Sequence, residues 1–600
     1  MFFVPRGSRL SHCLKVTMRV VLVVLFLASL SGASQTPPSK TYRIVWQFNV
    51  QVPMRDGVKL ATDILRPDSA EQFPVILVRT PYGKGEEPPR DEMVYFAEHG
   101  YAVAVQDVRG RNDSGGDWIP FLNESNDGYD AQEWAAKQSW SNGEVVPYGA
   151  SYLSFVQWLA ARTLNPNLKA MVSNVGLSDF YETFHPGGAF LFGFASSWGT
   201  VIDGRIDQYQ EIEFVPWTSL FQHLPVNSAL SVAGRDPRFY WDWAMHPTYD
   251  SYWQQLRWDD RYKDFGFPVL NIGGWFDVFQ RGTIENFQKV RSQGPARSRN
   301  AQMLIVGPWV HRSAATLHLS SQQGSVDFGP QSILDLREII LRWLDHYVKG
   351  LDNGIDKEPP VKVFTMGENA WHGYADWPVP GTIRSNYYLH SNGSANSTYG
   401  DGLLSTEPPG SHEPPDHYAY DPNYPVPTVG GANCCAPEIV PWGPMDQRVV
   451  EQRHDVLVYA TPPLDEDIRV TGPLTMSLWI ASSARDTDFT AKLVDIYPNG
   501  FAMNLADGIT RAKYRKSFER FDLLEPGRPY QVTIDLGNTS NVFKKGHRVS
   551  LEISSSNFPR YSRNTNTGNQ PEADTNWQTA QQTVLHDSQH ASILIVPVIQ

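Results

Sequence analysis

Cysteine is almost missing from this sequence: 600 residues contain three, Cys13 near the start and the adjacent pair Cys434 and Cys435. So small a number excludes a disulfide framework. The surrounding "GGANCCAPE" has no histidine or further cysteine at the short spacing a zinc site requires, so no metal is expected. The pair leaves two readings open, buried thiols or a disulfide between neighbours. An excess of positive charge is also missing. With 51 Lys and Arg against 64 Asp and Glu the net charge is −13, which excludes the basic footprint of a nucleic-acid binder. Long apolar runs are missing too, and the longest is "VVLVVLFLA" at residues 20–28. A membrane-spanning helix needs roughly 20 apolar residues, so no stable span is expected in the mature protein.

That short run has a meaning of its own. Arg6, Arg9, Lys15 and Arg19 precede or open it, and Ser31 and Ala33 follow it. A basic region, a short apolar core and small residues read as a secretory signal peptide over 1–33, cut after Ala33. The expected destination is secreted or periplasmic.

What the chain does have is length and aromatic content. Six hundred residues exceed one hydrophobic core, so several domains are expected. The 19 Trp, 26 Tyr and 29 Phe suit a large apolar interior. From Tyr42 to about Leu65, alternation around "RDG" predicts a β-hairpin. Strand-like and helix-like stretches then take turns: "FPVILVRTP" (73–81), "DEMVYFAEHG" (91–100), "YAVAVQDVRG" (101–110), "DGYDAQEWAAKQ" (127–138, with Asp127 as N-cap), "EVVPYGAS", "YLSFVQWLAAR" and "KAMVSNVG". Such alternation predicts a doubly wound α/β domain. The rhythm stops between about 178 and 266, where Trp-, Phe- and Tyr-rich segments without β-branched runs predict an inserted helical cap. It resumes at "FPVLNIGGWFD" (267–277) and closes with the amphipathic "ILDLREIILRWLDHYVKG" (333–350). The α/β domain thus spans 42–177 and 267–350. From 360 to 600, strand-like runs separated by Gly, Pro and Asn turns predict an all-β domain of jelly-roll type with no further helix.

Chemistry enters at "VPYGASYLSF" (146–155). Ser151 joins a predicted strand to a predicted helix, where a sharp turn exposes a serine hydroxyl at the carboxyl edge of a sheet. The pattern departs from G-x-S-x-G, because Leu153 holds the second glycine position and Ser154 is the small residue instead. A lone serine is weak evidence, but partners follow in the α/β-hydrolase order of Ser, Asp, His. Asp277 ends one later strand and His311 follows the next. Alone, Asp277 reads as a helix cap and His311 as a loop histidine. Together at strand ends they form the candidate triad. His318, in a polar loop, and His185, in the insertion, are the weaker histidines.

The motifs "RTPYGK" (79–84), "VQDVRGRNDSGG" (105–116), "YGASY" (148–152), "GGWFDVF" (273–279) and "GPWVHRS" (307–313) closely resemble the cocaine esterase / glutaryl acylase family, the CocE/NonD hydrolases. This family is related to the X-prolyl dipeptidyl aminopeptidases. The resemblance implies an α/β-hydrolase domain with a helical cap and a C-terminal jelly roll, and a triad of Ser151, Asp277 and His311. It further implies that the Tyr82 hydroxyl and the Tyr152 backbone N–H form the oxyanion hole; from its residues alone Tyr82 reads as a turn tyrosine. Relatives that hydrolyse α-amino acid esters hold the substrate ammonium with a carboxylate cluster, formed in part by acidic residues just after the triad aspartate. Here Val278, Phe279 and Gln280 stand there. The reading is a serine hydrolase of carboxylic esters or amides, needing no cofactor, with a small-molecule substrate. The alternatives are an X-Pro dipeptidyl-peptidase and, from another class, a glycan-binding protein with a vestigial hydrolase domain.

Overall fold

The computed structural model describes residues 41–599. The segment read as a signal peptide, with Cys13, lies outside them. The first two strands, β1 (Ile44–Pro53) and β2 (Lys59–Pro67), form the predicted antiparallel hairpin. Then come β3 (Phe73–Thr80), α1 (Arg90–Glu98), β4 (Ala102–Asp107), α2 (Glu124–Ala136), β5 (Ser141–Ala150), α3 (Tyr152–Ala161) and β6 (Met171–Asn174). Short helices α4 (Phe180–Phe184), α5 (Phe192–Ile202), α6 (Trp217–Gln222), α7 (Arg238–Met245) and α8 (Ser251–Gln254) fill the insertion, with no strand among its described residues. The alternation resumes with β7 (Val269–Phe276), α9 (Gln280–Gln293), α10 (Ala296–Arg299), β8 (Gln302–Val310) and α11 (His311–Ala315). The small ribbon β9 (Gln322–Gln323) and β10 (Val326–Asp327) and the helix α12 (Leu336–Tyr347) complete it.

Strands β3, β7 and β8 are buried along their whole length, as continuous apolar runs in a sheet covered on both faces must be. Their order is β1-β2-β4-β3-β5-β6-β7-β8, and β4 to β8 run parallel. The order reverses around β3 and β5, and ligands of open α/β sheets bind at the carboxyl ends beside such a switch point. Aromatic side chains of the insertion are largely core: Trp243, Trp253 and Trp258 are fully buried.

Three local expectations are corrected. Helix α2 starts at Glu124, so Asp127 is not its N-cap. Asp127 instead receives two hydrogen bonds from Arg109, at 2.9 and 2.7 Å, while Glu124 pairs with Arg79 at 2.5 Å. Tertiary ion pairs, invisible to a local pattern, set where this helix begins. The strand at 361–365, read as the opening of the all-β region, pairs in parallel with β8 and so extends the first sheet. A hairpin partner at 370–374 then forms its edge. The region beyond also holds two short helical turns, Arg448–Glu451 and Ala512–Tyr514. Otherwise it is an all-β assembly of eleven strands, antiparallel except where 403–405 meets 457–460 in parallel, around a core that includes Leu478, Ile480, Leu493 and Leu551 and extends to Leu304 and Val306 of β8.

Helix α1 is seated by a buried polar contact. The Tyr148 hydroxyl on β5 donates to Glu92, which is 4 % exposed. Burial pushes the Glu92 carboxyl up to about 7, and the Tyr148 hydrogen bond pulls it partly back. A carboxyl whose pKa is raised by folding binds more protons in the native state, so its ionisation costs stability as pH rises from about 4.5 to above 7. The wild type is expected to lose about 3 kcal/mol more stability over that window than Glu92→Gln. Urea unfolding of both proteins at pH 4.5 and pH 8 checks this; parallel losses would contradict it.

Candidate active site

Strand β5 ends in a turn whose backbone most residues avoid. Ser151 sits at φ 56°, ψ −126°, where a non-glycine residue is unusual and strained. Gly149, at φ 150°, makes the approach to that turn possible: a Cβ there would lie 2.4 Å from Leu153 Cβ. The role of small residues is therefore split differently from G-x-S-x-G. Leu153 packs over Gly149, and Ser154 lets α3 press on β6, its hydroxyl 2.7 Å from that of Ser173. Tyr152 opens α3, so its N–H has no partner within the helix. Its side chain points elsewhere, donating to Glu124 Oε1 at 2.9 Å.

The two other triad candidates arrive from neighbouring strand ends. Asp277 follows β7 and is 1 % exposed. One of its oxygens accepts from the Phe279 N–H at 2.6 Å, and the other accepts from His311 Nδ1 at 2.5 Å. Phe279 is itself the N-cap of α9, so Asp277 does not cap that helix, and its carboxylate braces the preceding turn while it meets the histidine. With Nδ1 donating to the carboxylate, Nε2 is left as an acceptor, and Ser151 Oγ donates to it at 3.1 Å. The Phe279 ring stands edge-on to the imidazole at 5.2 Å. This chain of hydrogen bonds can move a proton from serine to imidazole while a buried anion holds the ring in place. Of the other histidines singled out, His318 is exposed. His185 is buried against the Trp243 carbonyl, and burial pushes it down to about 4, keeping it neutral.

Tyr82 follows β3, the neighbour of β5, and is 6 % exposed. Its hydroxyl oxygen accepts from Trp198 Nε1 at 3.0 Å, which leaves its own proton available as a donor. Burial pushes that phenol well above its ordinary range, so the proton stays on. The surrounding turn is braced from beneath. Arg111 donates to the Pro81 carbonyl at 2.8 Å and to the Ile202 carbonyl at 2.9 Å, tying this turn to α5. Asp107 accepts from the Lys84 N–H at 2.7 Å. The motif "VQDVRGRNDSGG" is thus scaffolding for the Pro81–Tyr82 turn.

Sequence reasoning missed Trp198 and Glu87. No local pattern separates Trp198 from the other aromatic residues of the insertion. Its ring stacks with Phe194 and Trp243, each at 5.5 Å, and only this packing aims its N–H at Tyr82. Burial pushes the Glu87 carboxyl up to about 7, and His311 and Arg312 pull it back. Among the described residues no group of His, Cys, Asp or Glu could hold a metal ion, and no helix is long and apolar enough to cross a membrane.

A parallel sheet with a strained serine turn, and an acid–histidine pair at later strand ends, defines a serine hydrolase of the α/β-hydrolase class. A family model described as X-Pro dipeptidyl-peptidase (S15 family) matches residues 56–313, and one described as X-Pro dipeptidyl-peptidase C-terminal non-catalytic domain matches 353–595. The cocaine esterase of Rhodococcus sp. (strain MB1 Bresler) is 36% identical over 92% of this chain and 98% of its own. Among solved structures, an α-amino acid ester hydrolase superposes with TM-score 0.81 at 26% identity, over 96% of this chain and 100% of that one. An aminopeptidase from a marine sediment archaeon (Thaumarchaeota archaeon) does so with TM-score 0.80 at 27% identity, over 94% and 98%. The chain belongs to the CocE/NonD family of serine hydrolases.

Proposed function

We propose that this enzyme hydrolyses carboxylic esters with an apolar acyl group through an acyl-enzyme on Ser151. The observation that carries this reading is the continuous Ser151–His311–Asp277 hydrogen-bond chain on a strained turn. Ser151 Oγ attacks the carbonyl carbon as His311 Nε2 takes its proton. The tetrahedral oxyanion lies against the Tyr82 hydroxyl and the Tyr152 N–H. Collapse breaks the bond to the leaving group, which takes the proton from His311. Water then repeats the sequence on the acyl-enzyme and releases the acid. Asp277 stays ionised throughout and steadies the imidazolium.

Two features favour esters of apolar acids over substrates with a free amino terminus. The aromatic insertion contributes Trp198 beside Tyr82. The positions after Asp277 are Val278, Phe279 and Gln280, none of which is acidic, so they offer no counter-charge for an ammonium. The relative named cocaine esterase points the same way. One observation favours the X-Pro dipeptidyl-peptidase reading: Glu87 places a carboxyl within electrostatic reach of His311 and could receive a cationic terminus.

Purified enzyme assayed against aryl esters, β-lactam side-chain amides and X-Pro amides separates these readings. The ester is expected to show the largest kcat/KM. Faster cleavage of X-Pro amides, lost in Glu87→Gln, would establish the second reading instead.

A further inference from the structure

Cys434 and Cys435 are joined by a disulfide, which closes the pair of alternatives the sequence left open. Its position gives it a use. Asn433, the residue before it, pairs with Asp277 as an isolated parallel β-bridge. The acid that orients His311 therefore shares backbone pairing with a loop of the all-β region. That loop is tied at its base: Gly431 and Gly443 exchange backbone hydrogen bonds, both at 2.8 Å, and Asn433 Nδ2 donates to the Gly430 and Pro441 carbonyls at 3.0 and 2.6 Å. Between these ties lies the disulfide. It closes a small ring through both side chains and the peptide between them, and Cys435 sits at φ 81°, a backbone that non-glycine residues rarely adopt.

From this geometry we infer that the Cys434–Cys435 disulfide is a positioning element for the triad, holding Asn433 against Asp277 and sensitive to thiols. The inference rests on the proposed roles of Ser151, Asp277 and His311. A residue held in a sparsely populated conformation persists only while its surroundings over-determine it. The covalent ring is one such restraint, and opening it lets Cys435 relax and loosens the bridge next to Asp277. The carboxylate contact at 2.5 Å to His311 is then no longer braced from this side. Misplacing a catalytic group by a fraction of an ångström lowers turnover, not ground-state binding. Cys434 is 2 % exposed, but Cys435 is half-buried. A cavity of about 470 Å³ runs along Asp277, Phe279, Gly431 and Ala432, bringing solvent to the base of the loop. The half-buried Cys435 is the sulfur a small dithiol reaches. One thiolate of the dithiol attacks a sulfur and displaces the other cysteine as a thiolate. The second thiolate then closes the reagent's own disulfide, so two electrons pass to the protein and both cysteines leave as thiols. The export reading of residues 1–33 would deliver the pair to a compartment where such a disulfide persists.

The test uses the full chain with and without dithiothreitol, with thiol titration to confirm two new thiols per chain and a melting curve to confirm the fold. Reduction is expected to lower kcat on an aryl ester on the order of ten-fold, with KM changed by less than about two-fold. Reoxidation should restore it. Cys434→Ser/Cys435→Ser should show the reduced kcat at once and no response to dithiothreitol. Unchanged kcat after confirmed reduction overturns the inference. So does a rise in KM alone, which would make the pair a substrate wall, or an equal loss on adding dithiothreitol to the double variant, which would place the effect elsewhere. The triad reading is checked separately by fluorophosphonate labelling of the oxidised protein, which Ser151→Ala must abolish whatever the disulfide does.

Discussion

Ser151→Ala is expected to abolish both ester turnover and fluorophosphonate labelling while leaving the melting temperature close to wild type. Without Oγ nothing attacks the carbonyl carbon, and the residual rate is that of binding and oxyanion stabilisation alone. His311→Ala should be nearly as severe, because an unassisted serine hydroxyl is a weak nucleophile at neutral pH. Asp277→Asn should cost less, though still orders of magnitude in kcat, because the imidazole loses the anion that now sits 2.5 Å from Nδ1. The three groups act as a unit, so Ser151→Ala/His311→Ala should be scarcely worse than Ser151→Ala. His318→Ala, at an exposed loop position, should be nearly silent. A dead His318→Ala beside an active His311→Ala would refute the assignment of the base.

Tyr82→Phe is expected to lower kcat by roughly ten- to a thousand-fold, with a much smaller effect on KM. The hydroxyl oxygen is already engaged by Trp198, so its proton is the feature the variant removes from the site. The ring itself stays, packed edge-on to Tyr152 at a centroid distance of 6.5 Å, so its packing should change little. The cost to folding is the Trp198 N–H, which loses its acceptor on a buried surface, about 1–3 kcal/mol. Steady-state kinetics with an activated aryl ester, together with a thermal melt, separate the two effects. Wild-type kcat in a stably folded Tyr82→Phe would reduce Tyr82 to a turn residue.

Much of the fold was readable in one dimension because its signals are local. Buried parallel strands need continuous apolar runs, so "FPVILVRT" and "QMLIVGPWV" announce themselves. The serine turn needs a glycine two residues before it, and Gly149 is where a Cβ cannot fit. The order Ser151, Asp277, His311 at successive strand ends follows from the same alternation of strands and helices. Where reading failed, the deciding partner was far away in the chain. Asp127 looked like a helix cap because Arg109 could not be seen beside it. The strand at 361–365 looked like the start of a new domain because a parallel pairing to β8 leaves no mark on local composition.

The amino-acid sequence by itself determined the α/β rhythm, the all-β C-terminal region and the residue types and order of the candidate triad. These depend on periodicity and on turn chemistry, which neighbouring residues impose on one another. Tertiary structure alone decided that Tyr82 faces Trp198, that Glu87 comes within reach of His311, and that Asn433 lies against Asp277 with a disulfide behind it. Each of those contacts joins segments separated by more than a hundred residues. Their closeness depends on how the insertion and the β region pack onto the sheet, and no short-range pattern records it.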